Sequence, residues 1–137
     1  MTSPHKDVFG KPVGRPVENW TGCDMPPRSD MVGQHVIVSP LDLARDARHL
    51  FDANTMAQDG SRFTYLSTNA FNDFASYKAW LETMAGQSDP MLHAIIDKTR
   101  NSAVGVAAFM RIDAANGSVE IGNINYSPAL SQTIGGT

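Results

Sequence analysis

Residues 91–126 begin Met91-Leu92-His93-Ala94-Ile95-Ile96-Asp97 and end Ser118-Val119-Glu120-Ile121-Gly122-Asn123-Ile124-Asn125-Tyr126. Between them lie a polar run at 98–102, a long small and apolar run at 103–112, and Asp113-Ala114-Ala115-Asn116-Gly117. The first segment alternates, with Leu92, Ala94 and Ile96 on one face, which is the period of a strand. The polar run is a turn. Residues 103–112 read as a second strand with Gly105 inside it. Asn116-Gly117 is a strong hairpin signal, and 119–126 is then a third strand. Loops this short join antiparallel neighbours, so 91–126 predicts a three-strand meander.

Upstream the period changes. Phe74, Tyr77, Leu81 and Met84, with Trp80 beside them, make a helical stripe over about 72–85. Asn72 or Asp73 is its cap, and Gly86 is placed to end it. Before it, Leu43, Ala47, Leu50 and Phe51 make a second stripe, with Arg45, Asp46, Arg48 and Asp52 assigned mainly to the outer side. Ser39-Pro40-Leu41-Asp42 reads as its start, with Ser39 as N-cap and Asp42 as the capping-box acid. Residues 32–38 are β-branched and roughly alternating and predict the first strand. The order is strand, helix, helix, strand, strand, strand. Helices followed by hairpin-linked strands mean an α+β fold with an antiparallel sheet.

Five of the eight prolines fall at Pro4, Pro12, Pro16, Pro26 and Pro27. Proline fixes φ and lacks a donor, so residues 1–30 read as an extended arm with Trp20 as its largest apolar group. Residues 31–137 form the folded domain. At 137 residues the chain is long enough for one real core. A formal charge of −3 argues against a nucleic-acid binder. No stretch reaches the length of a membrane span, and residues 1–10 lack the apolar segment of a secretory signal. A single cysteine, Cys23, allows no internal disulfide, and a cytoplasmic setting follows as the default. The four histidines are scattered and match no metal-ligand spacing.

The sequence ends Gln132-Thr133-Ile134-Gly135-Gly136-Thr137. Adjacent glycines after a polar run allow backbone N–H groups to converge on an anion, and they also suit an ordinary tail. Together with the element order, these residues resemble the GNAT acyltransferase superfamily, specifically its RimL-like N-acetyltransferase branch. Residues 36–42 look like the first strand entering the first helix. His93-Ala94-Ile95-Ile96-Asp97 and Ala103-Val104-Gly105 look like the second and third strands. Val119-Glu120-Ile121-Gly122-Asn123-Ile124 looks like the fourth. Gln132 to Gly136 resembles the pyrophosphate loop, with Thr137 departing from the usual small last residue. The resemblance spans roughly 31–137.

It implies transfer of an acetyl group from acetyl-CoA to an amine, on a protein N-terminus or a small molecule. It places the pantetheine arm on the backbone of Ile124, Asn125 and Tyr126, and the pyrophosphate on Gln132, Thr133, Ile134, Gly135, Gly136 and Thr137. Glu120 is the candidate general base, with a solvent-facing ion pair as the competing reading. Tyr126 lines the acyl site or packs in the core. The loop at 56–69, with Arg62, Phe63 and Tyr65, is the implied acceptor region. No metal is implied. Since the family continues past this loop, the resemblance also implies a truncated, inactive chain that self-associates through an exposed sheet face or edge. The competing reading is a non-catalytic α+β binding or dimerisation module.

Overall fold

The computed structural model of the protein describes residues 5–56 and 71–136. The expected loop at 56–69 lies almost wholly outside these residues, as does Thr137. A five-stranded antiparallel sheet has the order β3 (Met31–Val32), β4 (Val36–Pro40), β5 (Met91–Asp97), β6 (Ser102–Asp113), β7 (Ser118–Tyr126). Two helices, α1 (Leu43–Thr55) and α2 (Phe74–Met84), connect β4 to β5. The α+β order and the meander are as the sequence predicts.

One face of the sheet carries the helices. Leu92, Ala94 and Ile96 of β5 and Ala103, Val106 and Ala108 of β6 pack there against Ala47 and Leu50 of α1 and Tyr77 and Leu81 of α2. Phe51, Phe74 and Trp80 border this core. On the other face Ile95 and Val104 meet Ala129 and Leu130, from the turn that follows β7. Leu130 is fully buried.

Three local expectations are corrected. The expected strand at 32–38 is a hairpin of β3 and β4, because the chain turns at 33–35 and Gly33 N–H bonds back to the Val36 carbonyl at 2.9 Å. The cap of α1 is Asp42, not Ser39. Ser39 and Pro40 stay in β4, and Leu41 N–H still bonds the Leu92 carbonyl, so the helix starts later. Asp42 accepts from the Ala44 and Arg45 N–H groups, and Asp46 Oδ2 accepts from Asp42 N–H. Asp46 is therefore buried rather than outward, its charge met by Arg45 at 2.6 and 2.8 Å. This pairing raises the Arg45 pKa.

The proline-rich segment is not uniformly extended. It opens with a two-stranded hairpin of β1 (His5–Lys6) and β2 (Pro12–Val13). Further on it docks on the β6–β7 loop. Trp20 Nε1 donates to the Ala115 carbonyl at 2.5 Å, and Cys23 N–H donates to the Ala114 carbonyl at 2.9 Å. The Trp20 ring lies where a Cβ on Gly117 would fall, at 2.8 Å, and Gly117 also has φ +64°. Both facts require glycine there.

Candidate functional site

β7 is the last strand of the described sheet, paired only with β6. Its register breaks twice. Val106 faces Asn125 and Ala108 faces Gly122, so Asn123 and Ile124 together oppose Ala107. This is a β-bulge, and Asn123 takes the left-handed conformation it requires, at φ +49°. Asparagine tolerates this region better than most residues. The bulge puts Gly122 and Asn125, three residues apart, on the same helix-bearing face.

The second break lies between Met110 and Asp113, where Arg111 and Ile112 oppose Val119. Here Arg111 is left-handed, at φ +47°. Asp89 secures the backbone: its two carboxylate oxygens accept from Arg111 N–H and Ile112 N–H, each at 2.9 Å.

Glu120 lies on the helix-bearing face, two residues before Gly122. Its Oε2 pairs with Arg111 Nη1 at 2.9 Å, with side-chain exposures of 41% and 75% for Glu120 and Arg111. Its Oε1 lies 3.1 Å from where a Gly122 Cβ would stand. The carboxylate thus reaches along the strand toward the bulge. The ion-pair geometry anticipated as the alternative for Glu120 is present, and it leaves the carboxylate partly exposed.

Ile124 and Tyr126 are exposed, while Asn125 is buried. The Asn125 side chain donates to Asn54 Oδ1 at 3.0 Å, and Asn54 in turn bonds Tyr77. Burial pushes the Tyr77 phenol far up, with the Asn54 bond opposing. The Asn125 side-chain amide is thus engaged in a network joining α1, α2 and β7. Sequence reading missed Asn54, Asn123, Asp89 and Arg111. Asn123 had a signal, an Asn after Gly in a strand, whereas Asp89 is tied to β6 only by tertiary structure.

The segment after β7 curls back under the sheet. Leu130 and Ser131 N–H bond the Ser127 carbonyl at 3.0 and 2.9 Å, and Ile134–Gly136 forms a 3₁₀ turn. The glycines serve packing here. A Cβ on Gly135 would stand 2.9 Å from Val36 Cγ1, and one on Gly136 2.6 Å from the Leu130 carbonyl. The left-handed residue of this segment is Gln132, at φ +60°.

The sheet face opposite the helices carries a shallow apolar groove of about 210 Å³, lined by Val38, His93, Ile95, Phe109, Ile121 and Tyr126. His93 Nδ1 donates to the Met91 carbonyl at 3.0 Å, and its Nε2 is buried without a partner. Burial holds the His93 pKa down; the Met91 bond opposes this and Arg28 adds to it. Among the described residues no cluster of His, Cys, Asp and Glu gathers that could hold a metal, and no helix is long and apolar enough to cross a membrane.

Solved structures share this fold. A GCN5-related N-acetyltransferase from Brucella melitensis superposes with a TM-score of 0.83 at 33% identity, over 88% of this chain. A probable acetyltransferase of the GNAT family from Chromobacterium violaceum gives 0.76 at 30% identity, over 91%. An acetyltransferase from T. thermophilus gives 0.65 at 17% identity over 79%, a likeness of fold alone. No protein-family model and no curated protein matches the sequence. The resemblance to GNAT N-acetyltransferases is borne out: the chain has their fold. It spans 54% of the length of the first of these structures and 62% of the second.

Proposed function

We propose that this chain carries the donor site and the general base of an N-acetyltransferase that moves an acetyl group from acetyl-CoA to an amine, on a protein N-terminus or a small molecule, in the cytoplasm. The observation that carries this reading is the bulge at Asn123 on a terminal strand, within a fold shared with acetyltransferases. A terminal strand offers its outer main-chain groups to an extended ligand. The pantetheine arm, a chain of amides, suits Ile124, Asn125 and Tyr126. The bulge interrupts the ladder beside them and turns main-chain groups away from β6, where an N–H can stabilise developing charge on a thioester oxygen. The pyrophosphate falls to Gln132 through Thr137.

When bound, acetyl-CoA supplies the activated acetyl carbon. The chain holds the amine and the thioester in line, which is much of the rate enhancement in such reactions. Glu120 takes the proton that the ammonium form must lose, the neutral nitrogen bonds the acetyl carbon, the carbon–sulfur bond breaks, and the second proton shed by the nitrogen ends on the departing thiolate to give coenzyme A as the thiol. The 31–137 region does this work, and the 1–30 arm braces the β6–β7 loop. Exposed Val119, Ile121 and Ile124 on β7 favour association with a second copy.

Calorimetric titration of acetyl-CoA into the 137-residue chain tests the reading. We expect saturable binding that excess coenzyme A competes away. Absence of binding, with no acetylation of an amine and peptide panel, overturns it in favour of a non-catalytic module.

A further inference from the structure

We propose that Arg111, latched by Asp89, is a positioning residue that fixes the Glu120 carboxylate beside Gly122 on the helix-bearing face of β7. The inference deepens the proposed function and rests on reading Glu120 as the base.

The argument starts from alternation. Met110 faces Glu120 across the ladder. In an unbroken strand Arg111, the next residue, would point to the opposite face and away from Glu120. It reaches Glu120 at 2.9 Å only because the chain is bulged there and Arg111 is left-handed. Such a conformation is unfavourable for a residue with a long side chain. The ion pair does not compensate, because one between groups as exposed as these contributes little to stability. A fold selected for stability alone would place glycine or asparagine at 111.

The structure instead adds a support. Asp89, in the turn before β5, accepts from both bulge N–H groups at 2.9 Å. The support and the strain together produce one result, the placement of the guanidinium. With Oε2 held, Oε1 lies beside Gly122, 3.1 Å from where a Cβ would stand, in a space it shares with the Met110 thioether. The glycine at 122 leaves room for both. Backbone strain held by dedicated contacts is a recurrent mark of a functional constraint.

The test uses carboxyl carbon NMR of Glu120 in the full 137-residue chain. Arg111→Gln should move the Glu120 Cδ resonance. Asp89→Ala should move it in the same direction, although Asp89 bonds the Arg111 backbone and not Glu120. The Arg111 and Ile112 amides should exchange about 10-fold faster or more in that variant. Should Asp89→Ala not fold, Asp89→Asn, which keeps one acceptor, should give a smaller shift in the same sense. A Glu120 resonance unmoved by either Asp89 change overturns the proposal. Arg111→Gly should keep the melting temperature or raise it while moving Glu120 as Arg111→Gln does. A lowered melting temperature would assign Arg111 a structural role instead.

Turnover of an amine acceptor separates this proposal from the reading beneath it. Arg111→Gln should lower kcat about 10-fold or more with the KM for acetyl-CoA unchanged, and Arg111→Lys should recover part of it. Wild-type kcat in Arg111→Gln, with Glu120→Gln inactive, overturns the positioning role and leaves the base in place. Wild-type kcat in Glu120→Gln removes the base and leaves the NMR result standing.

Discussion

β5 and β7 are both apolar strands of one meander, yet they do opposite work. The first six residues of β5 are all buried, sandwiched between α1 and α2 on one face and the Ala129–Leu130 turn on the other. β7 keeps only Asn125 buried along its length and is bulged. A strand with neighbours on every side is fixed by packing and tolerates no change of volume. A strand at the end of the sheet has main-chain groups and irregular geometry to spare, and there a site can form without disrupting the core.

The contrast can be broken most forcefully at Leu92, which is 2% exposed. Leu92→Ala should cost about 2–5 kcal/mol in urea unfolding, through lost burial and a cavity between sheet and helices. A loss like that of a surface change would mean the β5 core is loosely packed.

At the bulge the same chemistry reads differently. Asn123→Val should cost about 1–2 kcal/mol, because a β-branched residue fits poorly at φ +49°. Asn123→Gly should leave stability near wild type in the same unfolding experiment. Equal losses would deny that the bulge conformation matters.

Ile121, at 54% exposed, should give less than about 1 kcal/mol on change to Ala. Ile121→Lys should reduce self-association in light scattering, sharpening the division between a strand that holds the fold and one that meets other molecules.

The smallest effect is one of pH and belongs to β5. His93 has a lowered pKa in the folded chain, from an ordinary value of 6.5. As the pH falls below 6.5 the unfolded chain takes up this proton first, so stability declines toward acid. Above that value this contribution is level. His93→Gln should flatten that part of the dependence of melting temperature on pH between about 7 and 5.

The sheet was legible where periodicity and burial agree. Leu92, Ala94 and Ile96 sit on the face their alternation predicts, and the stripe of Tyr77 and Leu81 is the buried stripe of α2. It failed where a tertiary bond overrides a local preference. Ser39-Pro40 has the chemistry of a helix start, but the Leu41–Leu92 hydrogen bond keeps the chain in the sheet. Asp46 looks outward until Arg45 and the Asp42 N–H draw it in. Residues 32–38 alternate well enough to hide a turn at Gly33. The candidate site was legible as a stretch, β7 and the loop after it, and not as a geometry. The bulges depend on register between strands, and the Asp89 bonds join residues 22 and 23 positions apart. No period within one segment encodes either.

The Trp20–Ala115 bond joins residues 95 positions apart. Closing so long a loop costs chain entropy before any contact returns it, so we expect the arm to join a sheet that has already folded. By the same reasoning it is the first part to leave, in a partial opening far cheaper than global unfolding. Trp20 is therefore a built-in clock for the last step of folding: its fluorescence should change in a separate, slower phase after that of Trp80, which sits among Phe71 and Tyr77 in the helical layer.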